Sequence, residues 1–480
     1  MSAVESILGS AATDTVLLME SDTVAISAVD TIVGGTDTDV VSMLGAGTTA
    51  VSNIETVKGS TGTDIANLIG GGDLTVSQVE TVLGSGSADD VKMIAAGNLA
   101  VSAIDTVIGA QSGTDDVLRL LGASTMSISN IESLLGSSGT DTVTMLAADT
   151  VAVSSVETLA GSEGTDVLQL IGASTMAASA VESILGSSGS DTITMLDAGT
   201  LTVSLVETVK GTTDTDVVKM LSGGTVATSI VDTVIGTAGS SDVLRTLGGT
   251  TSVSAIETVL GSAGTDAIEM IGAGTVAVSS VESITGSAST DILRFLSAGS
   301  AVVSAIETVL GTTGTESVTM VDSGTLAASA IETVIGGSDS TDVLRMMGAG
   351  TTGVSAIETV KGSSGADVVR MLAAADLTVS EVETVLGASG VDSVSMLAAG
   401  NLAVSAVNSV IGTATTDVLR LLNGETVEVS AIETVLGGTG TDTITQIDGG
   451  TLAVSAVDTV VATTGSTDVV SMLGAGTAAV

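Results

Sequence analysis

The stretch Ile131-Glu132-Ser133-Leu134-Leu135-Gly136-Ser137-Ser138-Gly139-Thr140-Asp141-Thr142-Val143-Thr144-Met145-Leu146-Ala147-Ala148-Asp149-Thr150-Val151-Ala152-Val153-Ser154-Ser155 decides the fold. The residues after it, Val156-Glu157-Thr158-Leu159-Ala160-Gly161, begin the same phrase again. Its acidic residue marks the phase at Glu5, Asp30, Glu55, Glu80, Asp105, Glu132, Glu157, Glu182, Glu207, Asp232, Glu257, Glu282, Glu307, Glu332, Glu358, Glu383, Glu433 and Asp458, with Asn408 once in its place. Every gap is 25 residues except one of 27, from Asp105 to Glu132, and one of 26, from Glu332 to Glu358. A fixed period of this kind means one supersecondary unit stacked on copies of itself. The expectation is a single continuous repeat domain over residues 1–480, not the several globular domains such a length would suggest.

Each unit holds three apolar stretches separated by turn-like ones. A short stretch such as Thr275-Val276-Ala277-Val278 is followed by a Ser-x corner, as at Ser254-Ala255. Ile256 to Gly261 is a second stretch, and a Gly/Ser/Thr loop then leads to Asp266. The third stretch, as in Asp141 to Leu146, alternates with period two, the mark of a half-buried strand. Its second position after the Asp is apolar (Val143, Ile193, Val218, Leu244, Ile268, Leu419) and its fourth is Met or Leu, except at Thr246, Phe295 and Gln446. Eight of the 11 bases share its third position: Lys92, Arg119, Lys219, Arg245, Arg294, Arg345, Arg370 and Arg420. Positions two and four therefore face inward and position three faces water. Apolar stretches of about five residues broken by Gly-rich loops are too short for helical repeats. The predicted fold is all-β, a parallel β-solenoid (β-helix) of about 19 coils of 25 residues, with three short strands per coil. Crossover preference predicts a right-handed coil. Like residues are expected to stack on like, coil upon coil.

Composition agrees and excludes much else. There is no His, Cys, Trp, Tyr or Pro, and one Phe. The usual neutral-pH proton shuttles, thiol nucleophiles and zinc ligands are thus missing, and the chain reads as no enzyme. The 55 acids against 11 bases give a formal charge of −44, which repels nucleic acid and anionic membranes and favours bound cations. No apolar run approaches the roughly 20 residues of a membrane span. The start, Met1-Ser2-Ala3-Val4-Glu5, lacks the cationic and apolar stretches of a cleaved signal peptide.

Two positions of the repeat carry 37 of the 55 acids. One is the acidic residue that marks the phase. The other follows the Gly-Thr turn, as at Asp14, Asp39, Asp141, Asp191, Asp266 and Asp442, with Asp115 or Asp116 filling it in one unit and Glu316 in another. Stacked about 4.8 Å apart, such carboxylates repel by ~0.9 kcal/mol per pair in water. Two readings remain open: each Asp accepts the N–H groups of its own turn, or Ca²⁺ sits between turns on Asp oxygens and loop carbonyls.

Gly136-Ser137-Ser138-Gly139-Thr140-Asp141-Thr142-Val143-Thr144 and Gly437-Gly438-Thr439-Gly440-Thr441-Asp442-Thr443-Ile444-Thr445 resemble the Gly-Gly-x-Gly-x-Asp-x-aliphatic-x nonapeptide of RTX (repeats-in-toxin, haemolysin-type) proteins. The preceding Ile-Glu-Ser-Leu-Leu-Gly phrase is similar to linkers in bacterial surface-layer and adhesin proteins of that kind. The resemblance covers about nine residues of each unit. It implies a secreted bacterial surface protein, with Ca²⁺ at the turns. Asp141, Asp191, Asp266 and Asp442, in the best-matching turns, are the metal candidates it implies. RTX nonapeptides run in tandem every nine residues, whereas here one occurs per 25 and its first two glycines are often Ser or Thr.

Val480 stands in the same phase as Met1, so Ser2 would continue the spiral after Val480. Neither end shows a divergent capping unit. Uncapped solenoids offer complementary strands at both ends. The functional expectation is a structural, self-assembling protein, its copies stacked head to tail, with lateral bundling along an aliphatic stripe, in an extracellular filament or surface layer moderated by divalent cations. The alternative is a monomeric, calcium-responsive stalk or binding module of an RTX-type adhesin.

Overall fold

The computed structural model describes residues 4–111, 115–338, 341–462 and 467–474. Among them it contains 56 strands and no helix, and every pairing is parallel, so the chain is an all-β parallel solenoid. It divides into two compact units, Met1–Ser240 and Ser241–Val480.

Three kinds of strand alternate in both units. A corner strand such as Thr150–Ser154 ends at the Ser-x corner. A three-residue middle strand such as Thr158–Ala160 follows, and then an Asp strand such as Val167–Leu170. The three strands per 25-residue unit were legible in the sequence; their arrangement into coils was not. A strand pairs with the second strand after it: Thr125–Ser129 with Thr142–Met145, that with Thr158–Ala160, and that in turn with Thr175–Ser179. Each coil therefore holds two strands, not three, and uses about 17 residues, not 25. The expected nineteen 25-residue coils are corrected accordingly: one repeat makes one and a half coils. Strands of one kind in consecutive repeats fall in opposite sheets, so like does not stack directly on like. Each sheet instead runs corner strand, Asp strand, middle strand and again. In the first unit the inward ladder Met126, Val143, Leu159, Ala178 contains all three kinds. It also shows the register advancing two residues every three strands, because Ala178 stands where an exact 50-residue step would place Met176.

The cause lies in the corner. Only three residues, Ser155 to Glu157, separate Thr150–Ser154 from Thr158–Ala160. The first of them takes the left-handed conformation, as do its counterparts in seventeen other repeats, from Ala28 to Ala456, the eighteen having φ between 49° and 57°. The left-handed residue reverses the chain instead of bending it through a third of a turn, so the next strand joins the opposite sheet. None of the eighteen is glycine, and only Asn53 and Asn130 are types that favour this region. The others each cost roughly 1–2 kcal/mol, which the surrounding stack must offset.

The interior follows the period-two reading. Val143, Ile193, Val218, Leu244 and Leu419 are wholly buried, as is Ile268 within 2%, and Met145, Met220 and Phe295 fill the position beyond them. A buried Val, Leu, Ile or Met contributes about 1.5–3 kcal/mol over leaving it in water. The basic position faces solvent throughout: Lys92, Arg119, Lys219, Arg245, Arg294, Arg345, Arg370 and Arg420 are all exposed.

Candidate functional site

The Gly-Thr-Asp turns bring the two acidic positions together. Asp141 heads the Asp strand Thr142–Met145 and its side chain is fully buried. Its Oδ2 accepts the Ser137 amide at 2.6 Å and the Ser137 hydroxyl at 3.0 Å, closing its own turn. Ser137 Oγ in turn accepts the Gly139 amide at 3.0 Å. Its Oδ1 accepts the Ser124 amide of the preceding coil at 2.9 Å. Its own amide donates to Glu157 Oε2 of the following coil at 2.8 Å, and its carbonyl accepts the Thr158 amide at 3.1 Å. One aspartate thus clasps three coils through main-chain donors, the arrangement short polar side chains favour at turns.

The same clasp recurs. Eighteen bonds of 2.6–2.9 Å run from the amide of the turn's acid, buried in all but Asp14, to the side chain sixteen residues on, or fifteen at Asp242. Where the period places Asn408, its Oδ1 takes the amide of Asp392 at 2.9 Å, so the position needs an acceptor and not a charge. Asp116, buried, fills the role left open between it and Asp115, which is exposed. Thr246, an exception in the sequence pattern, is buried and donates its hydroxyl to Asp266 Oδ1 at 2.8 Å.

The four metal candidates are all of this kind. Asp191 accepts Ser174 and Ser187 amides at 2.8 and 2.6 Å. Asp266 accepts the Ser262 amide at 2.6 Å beside the Thr246 hydroxyl. Asp442 accepts the Glu425 and Gly438 amides at 3.1 and 2.8 Å. No two are brought together. Asp141 and Asp191 lie three strands apart in one sheet of the first unit, roughly 14 Å at the usual strand spacing. Asp266 and Asp442 belong to opposite sheets of the second. Calcium asks for six to eight oxygens, whereas these carboxylates face N–H and O–H donors. No group of three or more acids, His or Cys placed to hold a metal occurs among the described residues. As arranged, the donor set does not fit the ion.

A second contact holds the coils together. Gly136 donates its amide to Ser154 O at 2.8 Å, and the carbonyl oxygen of the left-handed Ser155 lies 1.7 Å from where a Cβ on Gly136 would stand. The glycine that ends the Ile-Glu-Thr-Val-Leu-Gly phrase is therefore required by the corner of the next coil. Sequence reading sees the glycine but not its partner, which comes about 19 residues later with no residue type of its own.

The residue after the inward Met or Leu is a large aliphatic that stays about half exposed: Leu44, Ile69, Ile94, Leu121, Leu146, Ile171 and most of their successors. Its outward parity was the available signal. At Leu372 the side chain lies over Gly353 of the neighbouring coil. The position two after the Glu-Thr pair is half buried as Leu83 or Ile108 and exposed as Lys58, Lys210 or Lys361. Concavities are shallow and repeat with the fold, as beside Ser77, Gln78, Met93 and Gly97 and beside Ser179, Ala180, Met195 and Gly199.

Comparison with known proteins found no match to the sequence among family models or curated proteins, and none to the structure among solved structures.

Proposed function

We propose that the chain is a non-enzymatic structural protein whose coil edges accept further copies of itself, head to tail, in an extracellular filament or layer. The supporting observation is the pair of outermost strands. Inside each unit an Asp strand carries a middle strand on its far side, as Thr142–Met145 carries Thr158–Ala160. At the last described Asp strand, Asp468–Met472, the inward Met472 is 40% exposed where Met145 is 3% exposed. Ser6–Leu8 is a middle strand lacking the Asp strand that would precede it among the described residues. The outermost described strands are complementary in kind, and strand edges of this sort pair with other chains where they are exposed. The phase match of Met1, Ser2 and Val480 lies outside the described residues.

Lateral bundling would use the half-exposed aliphatic rows, against the repulsion of a chain at −44. Cations enter this reading as diffuse counter-charge. A Ca²⁺ titration at constant ionic strength is expected to leave the melting temperature unchanged; a saturable rise would instead assign bound Ca²⁺ to the turns at Asp141, Asp191, Asp266 and Asp442. Electron microscopy of the purified 480-residue chain tests assembly itself: fibres or sheets support it, and short isolated particles at every concentration overturn it.

A further inference from the structure

A repeat of one and a half coils sends alternate repeats to opposite sheets, and in the first unit it sorts them by chemistry. At the third position after the turn aspartate the sequence runs Arg119, Thr144, Gln169, Thr194, Lys219. Register places Thr144 and Thr194 in one sheet and Arg119, Gln169 and Lys219 in the other. Around Thr144 and Thr194 the coil gathers threonines that the 25-residue period keeps apart. Thr125, Thr142 and Thr158 pair side by side across three strands, and their row continues through Ala177 to Thr194. Two residues along, Thr144 pairs with Ser127, and on the other side Thr175, Thr192 and Thr208 form a second row. Across these six strands, Thr125–Ser129 to Thr208–Lys210, the outward residues carry a single charge, Lys210, in a chain of 55 acids and 11 bases.

We propose that this threonine face binds ice, an activity that does not depend on end-to-end joining. Strands ~4.8 Å apart, and residues ~6.6 Å apart at every second position along a strand, set the hydroxyls on a nearly rectangular net. Those two steps lie close to the oxygen repeats along the a and c axes of hexagonal ice. Unlike the hydroxyls of Ser137 and Thr246, those of the threonine rows have no partner in the chain among the described residues, which leaves them for water. Branching at Cβ restricts χ1, so the hydroxyl positions are largely set before contact and little rotamer freedom is lost on binding. The methyl groups beside them shed water as the lattice meets the face. The opposite sheet has no such net: its Asp strands over the same repeats turn Val117 and Arg119, Val167 and Gln169, and Val217 and Lys219 outward. A cationic side chain there keeps its own hydration shell, which does not match the lattice.

The experiment measures thermal hysteresis and partition into a slowly growing ice hemisphere for the full chain, Thr144→Lys and Gln169→Lys, at matched concentration and salt. The native chain is expected to show hysteresis that rises with concentration and to enter the ice; a native chain with neither property overturns the proposal. Thr144→Lys sets into the rows the residue that Lys219 already supplies at the same place in the opposite sheet, so the fold tolerates it, and an unchanged melting temperature checks this. It is expected to lower hysteresis at least threefold. Gln169→Lys makes the same change of charge on the opposite sheet and is expected to keep the native value. Equal hysteresis in native chain and Thr144→Lys, or an equal loss in both variants, would remove the threonine face as the site and overturn the inference.

Discussion

The turns Gly261–Asp266 and Gly311–Glu316 occupy the same place in their repeats and differ by one methylene in the acid that closes them. Asp266 takes the Ser262 amide at 2.6 Å and hydroxyl at 2.9 Å on one oxygen and the Thr246 hydroxyl on the other. Glu316 is just as buried and keeps the bond from its own amide to Glu332, but only its Oε1 is met, by the Thr312 hydroxyl, and its Oε2 has no donor. The clasp depends on reach. A carboxylate of the same charge set one carbon further out closes half of it, and a buried oxygen left unmet costs about 1–3 kcal/mol.

Substitutions at these two turns would break or sharpen the contrast. The largest effect is expected from Gly261→Ala, whose Cβ would lie 1.6 Å from the carbonyl of Ser280. Local stability around the corner should fall by about 3 kcal/mol or more, read as lost amide-exchange protection across Ile268 and Val278. Asp266→Ala comes next. It strands the Ser262 amide and the Thr246 hydroxyl and should cost about 2–4 kcal/mol, while a variant indistinguishable from native in the same measurement would remove the clasp from the account. Glu316→Asp runs the other way: restoring the shorter reach should raise protection at Ser317 and Val318 by about 1–2 kcal/mol.

The smallest effect concerns pH. Glu425, whose amide donates to Asp442, has its own carboxyl held above the usual range by burial, opposed by hydrogen bonds from the Ala406 amide and Ser405, with the charge of Asp442 pushing it further up. A raised acid favours the fold fully below its unfolded pKa and loses that contribution as pH rises through its folded value. Glu425→Gln should therefore be more stable than native at neutral pH, and the difference should vanish in acid. Melting curves from pH 3 to 8 check this, and a constant difference across the range would refute it.

What the sequence showed of this fold was its strands and their faces. Alternation placed Val143 and Met145 inside and Arg119 outside because side-chain parity is a property of one strand. The number of strands in a coil is set elsewhere, in the left-handed residue of each corner, and Ala255, Leu205 or Ile230 there gives no compositional warning. The clasp was hidden for a related reason. Its partners stand sixteen or seventeen residues apart, a step set by the coil, while the visible period is 25. Uniform ladders of acids follow from that period alone, whereas the outward Leu row follows from parity.

Because a repeat completes one and a half coils, gene-level gain or loss of units carries a parity. Excising one 25-residue unit from inside either half would transfer the downstream residues of that half to its opposite flank, so that a surface that half shares with any neighbour would be divided between front and back. Excising two would shorten the same half by three coils and leave its flanks as they were. Recombination among such units is therefore expected to conserve even numbers wherever one flank has work to do.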